Sequence, residues 1–147
     1  MTAPKNEFYV TLLSNSSMDL CPLNTQSKFQ NYLKNQVALE GEWRVGVTEF
    51  YHNSFDEASN SNHMLFLHTD IIEPRLIGDQ CSRVLRVVPV KHTAECMRFQ
   101  HVEYVSLTNL CSISSISILI NTETNQQANF VNSNNPSVIT LHFVRYK

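Results

Sequence analysis

Three carboxylates, Asp70, Glu73 and Asp79, fall within the stretch His68–Gln80, HTDIIEPRLIGDQ. Two carboxylates three residues apart with a third six further on could supply a general acid and a general base, chemistry that needs one group protonated while the other is ionised. The same oxygens could hold a divalent cation. The neighbouring residues point elsewhere. Pro74 pushes Glu73 into an extended conformation, Gly78 permits positive φ, and the Gly78-Asp79 pair suits the tip of a long connection between strands. Asp70, Glu73 and Asp79 are then available to loop amides or to Arg75, Arg83 and Arg86, locally or across a contact with another chain. Hydrolysis by carboxylates wants a cleft with further polar groups, and no such set is identifiable. The expectation is an architectural motif with no catalytic residue, cofactor or metal.

Other reactive residues are dispersed. Cys21, Cys81, Cys96 and Cys111 are separated by 60, 15 and 15 positions, which fits neither paired C-x-x-C ligands nor a dense disulfide framework. They read as free, mostly buried thiols. Six histidines are scattered, and His63 and His68 have neither the helical i, i+4 spacing nor the H-x-H spacing of a metal pair. The sequon at Asn15 carries weight only on a secretory route. Eleven basic against 13 acidic residues, with no long run of either sign, give no sequence-wide grip on DNA or RNA. The N-terminal MTAPKNEFYV lacks a basic segment followed by an apolar run, and no stretch approaches the ~18 apolar residues of a membrane span. The chain reads as soluble and without a secretion signal.

The elements that position these residues read as strands. A chain of 147 residues fits one domain, 1–147, that buries roughly two thirds of its unfolded surface. Period-two alternation marks Phe8–Ser14, Trp43–Tyr51, Met64–Thr69, Val84–Val90, Val102–Leu107, Ser114–Asn121, Gln127–Val131 and Val138–Arg145. Ile139, Leu141 and Phe143 should face a core, as should Trp43, Val45 and Val47, while Gly46 on the opposite face suggests close approach by another backbone or a bulky ring. Phe29, Leu33 and Val37, at i, i+4 and i+8 behind a cap at Asn24 or Thr25, predict a short helix that lids one end of the sheets. Asn- and Ser-rich connections are expected over 52–63 and 129–137. The expected fold is all-β, an eight-stranded single jelly-roll sandwich with one short helix after the first strand. An immunoglobulin-like sandwich would have seven or nine strands, and a cupin would need clustered histidines.

Several blocks in order resemble one family. FYVTLLSNSS at 8–17, NTQSKFQNYL at 24–33, LEGEWRVGVTEF at 39–50, DIIEPRLIGDQCSRVLRVVPV at 70–90, FQHVEYVSL at 99–107 and VITLHFVRY at 138–146 are similar to the penton, or minor capsid, proteins of Polinton (Maverick) elements and adintoviruses, themselves related to virophage pentons. His68 and Thr69 stand where the family carries aromatic and cysteine residues. The resemblance implies a jelly-roll subunit, made as a soluble intracellular protein in the host cell. It would form homopentamers at icosahedral vertices of the virion beside a double jelly-roll major capsid protein, with no catalysis. The other classes open to a β-sandwich are an extracellular lectin-like or cytokine-like binding module and an enzyme; the last lacks a nucleophile, base and orienting group at credible spacing.

Overall fold

In a computed structural model the described residues are 6–56, 63–109 and 111–146. They form strands and no helix: β1 (Glu7–Leu13), β2 (Lys28–Ala38), β3 (Trp43–His52), β4 (His63–Thr69), β5 (Arg75–Ile77), β6 (Gln80–Ser82), β7 (Val84–Val90), β8 (Glu95–Arg98), β9 (Val105–Ser106), β10 (Ser112–Thr122) and β11 (Val138–Arg145). One antiparallel sheet runs β1-β11-β3-β8, with β9 also on β3; a second runs β2-β10-β4-β7; β5 and β6 form a separate hairpin. Both sheets turn apolar side chains into one core, Val45, Phe50, Leu141 and Phe143 from the first and Leu65, Leu67, Val88 and Ile118 from the second. The architecture is all-β and consistent with a β-sandwich.

The alternation that marks β11 and β3 sets their buried faces. Ile139, Leu141 and Phe143 are 1, 0 and 0% exposed, and Trp43, Val45 and Val47 are 5, 0 and 0%. The β3–β11 register shifts between Thr140 and Leu141, so that Thr140 opposes Glu49 and Leu141 opposes Val47. That bulge at Thr48 reverses the phase of β3, and Phe50 and His52 enter the core where a uniform alternation would have turned them out. Every second residue of β10 from Ile116 to Ile120 is buried as well.

The expected helix over 24–37 is replaced by β2. Phe29, Leu33 and Val37 are spaced by fours, and four is a multiple of two as well as one helical turn, so a strand also keeps them on one face. The ladder with β10 decides between the two, pairing Phe29 with Ile118, Asn31 with Ile116 and Val37 with Ile113. Asn31, buried within β2, accepts from the Leu13 N–H at 2.9 Å and donates to the Leu13 carbonyl at 2.9 Å. It thereby clamps the end of β1 to the second sheet, a contact no helix-surface amide could supply.

Other boundaries also move. Only Val105–Ser106 of the expected 102–107 strand is extended pairing, and 127–131 contributes isolated bridges, Asn121 with Gln127 and Phe55 with Phe130. The short strands β5, β6 and β8 carry too few residues to show a period; with β2 they add four strands, and the loss of 127–131 takes one away, so the expected eight become eleven among the described residues. Part of the 52–63 connection, and the N-terminal segment before Asn6, lie outside the described residues. The thiols are not mostly buried: Cys81, Cys96 and Cys111 are exposed and Cys21 is half-buried, all unpaired as disulfides. Leu141→Ala should lower stability by roughly 2–5 kcal/mol, because a fully enclosed side chain leaves a cavity between two sheets; denaturant unfolding measures it, and an unchanged midpoint would rule out this packing.

Candidate functional site

The 68–80 stretch is anchored by its apolar pair. Ile71 and Ile72 are 4% and 0% exposed; the Ile71 carbonyl accepts from Thr108 N–H at 2.9 Å, and Glu73 N–H donates to Ser106 O at 3.0 Å. Beyond Pro74 the chain makes the β5–β6 hairpin, whose tip is Gly78-Asp79 with Gly78 at φ 63°. Positive φ at the first loop position suits a type II′ turn, which matches the twist of the flanking strands. The carboxylates do not converge. Asp70 Oδ1 accepts from Ser117 N–H at 3.0 Å on β10, Asp79 sits at the exposed hairpin tip, and Glu73 and Asp79 make no side-chain hydrogen bond or ion pair among the described residues. No group of three or more His, Cys, Asp or Glu among those residues is placed to share a metal ion.

The arginines of the motif turn inward to backbone. Arg75 donates from Nε to Val84 O at 2.8 Å and from Nη2 to Leu85 O at 3.3 Å, and its Nη1 pairs with Glu103. Arg83 Nε donates to Ile72 O at 3.1 Å, tying the hairpin's exit to its entrance. Arg86 donates to His101 O at 3.0 Å and lies 3.9 Å over the Phe99 ring. Arg75 and Arg86 therefore both grip residues 99–104, a strap that crosses the outer face of the first sheet. Phe99 N–H donates to Thr48 O at 3.0 Å, so the bulge of β3 presents the carbonyl that starts the crossing. At Gly46 a Cβ would stand 2.5 Å from Val102 Cγ1 and 2.7 Å from Glu103 O. The close approach expected at this glycine is met by the chain's own strap.

The strap ends on a chain of polar side chains. Tyr104 OH lies 2.7 Å from His142 Nδ1, His142 Nε2 lies 3.0 Å from Glu7 Oε2, and Tyr9 stacks on the imidazole at 4.3 Å with planes 10° apart. The carboxylate–imidazole–phenol order resembles a nucleophile-activating relay. Burial, then the charges of Tyr9 and Glu7, push the Tyr104 phenol above its ordinary range, the opposite of what a phenol nucleophile requires. The geometry suits a latch that joins β1, β11 and the strap. Alternation places His142 off the core face, but its partners lie 135 and 38 positions away, beyond any local motif.

Two larger grooves and an aromatic corner lie elsewhere among the described residues. A groove of about 640 Å³ between the β1–β2 and β10–β11 connections is lined by Asn, Gln and Ser. Part of that lining is already engaged: Gln26 donates to Val131 O and accepts from Asn53 and Ser137, and the Asn135 carbonyl accepts from Asn53. A more apolar groove of about 600 Å³ lies against the outer face of β2, β10 and β4, where burial holds the His68 imidazole below its ordinary range. In the corner, His52 is fully buried with Asn53 O at 2.7 Å and Glu95 at 3.3 Å, and Phe55 is flanked by His52, His63 and Phe130 rings. No helix among the described residues is long and apolar enough to cross a membrane. Compared with known proteins, the chain matches no family model and no curated protein.

Gly46→Ala should destabilise the fold by about 1–3 kcal/mol, because the strap's carbonyl cannot yield without lifting the segment. Val102→Ala in the same background should recover only part of that loss, since it removes the side-chain clash and leaves the backbone one. Thermal unfolding of the single and double variants checks both, and a neutral Gly46→Ala would mean the strap does not lie there.

Proposed function

We propose that the chain is a single jelly-roll capsid subunit, a penton that closes into homopentamers at icosahedral vertices beside a double jelly-roll major capsid protein. In this reading it is made soluble inside the host cell, resides in the virion and catalyses no reaction. The observation that supports the fold part of this reading is a strand order. Setting aside β5, β6 and β9, the remaining strands form β1-β11-β3-β8 against β2-β10-β4-β7. The chain changes sheet at every step between consecutive members of that set except from β4 to β7, where the hairpin is inserted. This order supports the jelly-roll reading, in which two Greek keys lie face to face. Fold alone does not choose among capsids, lectins and cupins, so the capsid assignment rests on the family resemblance. Its blocks fall on β1, β2, β3, the hairpin with β7, the strap with β9, and β11.

A ring of five identical copies needs a heterologous contact between two different surfaces of the subunit. The motif around the hairpin divides its charges in a way that suits one. Its arginines are spent inside the subunit, whereas Glu73 and Asp79 stay exposed and unpaired among the described residues. Carboxylates that hold nothing at home can set register against a neighbour, and they do so more than they set strength. An amide-lined groove is the feature that favours the binding-module alternative, with neutral hydrogen-bonding groups suited to a sugar.

Sedimentation over a range of concentrations separates these readings. A species five times the 16.9 kDa subunit, ring-shaped in negative stain, is the expected result; a trimer would support a cytokine-like module, and a monomer that binds sugars a lectin. Glu73→Gln should leave folding stability unchanged and lower the pentamer fraction most at low salt. Asp70→Asn should instead cost the subunit about 1 kcal/mol or less, through the exposed bond to Ser117. A pentamer fraction indifferent to Glu73→Gln at every salt concentration would remove Glu73 from the contact.

A further inference from the structure

Three of the four sheet edges carry devices that keep a strand from pairing with foreign chains. β7 contains Pro89 and a register shift against β4, and Arg75 covers its Val84 and Leu85 carbonyls. β2 contains Lys28 and Lys34 and is interrupted opposite Ser114. β8 is four residues long with Glu95 and Arg98, and β9 is only two. β1 has none of these before Leu13: EFYVTLL holds no proline or lysine, carries one charge at its first residue, and pairs with β11 along all seven residues without a shift.

The groups that β1 leaves unpaired can be assigned. Successive strand residues turn their N–H and C=O to opposite sides. Leu13 turns both to Asn31, on the side away from β11, and Ser14 N–H and Asn6 O turn to the β11 side, bonding Ser137 O and Arg145 N–H. Glu7, Tyr9 and Thr11 therefore present their backbone groups on the free side, where no described strand lies. Along the inner face of the same strand Phe8 and Val10 remain half-buried although Leu12 is 1% exposed, and on the outer face Tyr9 is 60% exposed.

We infer that the free edge of β1 is an interface with a second copy of this chain, pairing antiparallel about a twofold axis with Tyr9 opposite Tyr9. That register alone matches the three available residues with each other, Tyr9 with Tyr9 and Glu7 with Thr11 twice, and leaves Leu13 to Asn31. It sets Phe8 against Val10 on the inner face, so each half-buried residue covers the other, and it places no charge opposite a like charge. Centring on Val10 would instead set Glu7 against Leu13, whose groups are taken. The contact is isologous and does not rest on the ring reading: it doubles whatever species the chain otherwise forms.

The test uses the full chain carrying Tyr9→Lys or Tyr9→Glu, sedimented alone and as an equimolar mixture. Wild type should double in mass as concentration rises. Each variant alone should weaken that association by roughly tenfold or more, since two like charges then meet across the axis, and the mixture should restore it because opposite charges meet there. Any fivefold mass persists in every sample. Wild type that never doubles, variants that double as wild type does, or a mixture no tighter than its parts would each overturn the inference. Should the Tyr9 variants unfold, Thr11→Pro removes one outward N–H and no backbone bond to β11, giving up only the exposed Thr11–Thr140 hydroxyl contact; doubling that survives it overturns the inference equally.

Discussion

The passage of the Glu103 backbone over Gly46 is the constraint on which the outer face of the first sheet depends. A methyl group at position 46 would meet a carbonyl oxygen at 2.7 Å, so the strap can lie flat only because this residue has no side chain. Everything else that holds the strap is individually weak. The partly exposed Arg75–Glu103 pair contributes on the order of 0–1 kcal/mol and the Arg86–Phe99 stack about 0.5–1 kcal/mol. These contacts add up because the glycine lets the chain approach closely enough to make all of them at once. The bulge at Thr48 belongs to the same arrangement: it offers Phe99 its carbonyl and turns Phe50 and His52 into the core.

The strap also joins the two sheets from outside. Arg86 reaches it from β7 of the second sheet, and Arg75 from the inserted hairpin, while Tyr104 fastens it to His142 on β11 and through that ring to Glu7 on β1. A guanidinium that binds both a strand-edge carbonyl and a strap carboxylate satisfies the backbone of β7 and positions the strap together, which a lysine with one point charge could not do. The motif DIIEPRLIGDQ thus separates its functions by charge. Arg75, with Arg83 and Arg86 just after the motif, ties the hairpin and the strap to the sheets, Ile71 and Ile72 anchor the hairpin, and Glu73 and Asp79 stay exposed.

Edge management follows from the same economy of backbone groups. Strands β7, β2 and β8 end their sheets with a proline, with lysines and an interruption, or by being short, and Asn31 caps the last pair of groups on β1. An edge left regular over Glu7–Thr11, next to two apolar residues that the monomer covers only in part, is where the fold and its associations share one surface.

The sequence by itself determined what depends on spacing within a strand. The buried faces of β3, β10 and β11, the limits of β7 and β11, the special position of Gly46 and the turn at Gly78-Asp79 all follow from period two and from the backbone preferences of Gly and Pro. Tertiary structure alone decided what depends on a partner far along the chain. Fours are compatible with both a helix and a strand, so only the β10 ladder could make Lys28–Ala38 a strand. Strands β5, β6 and β8 are too short to show a period, and the bulge at Thr48 exists only against β11. The Glu7–His142–Tyr104 latch joins residues whose separations no local pattern records, because hydrogen bonds are set by distance in space and the chain reaches that distance only after both sheets have closed on their core.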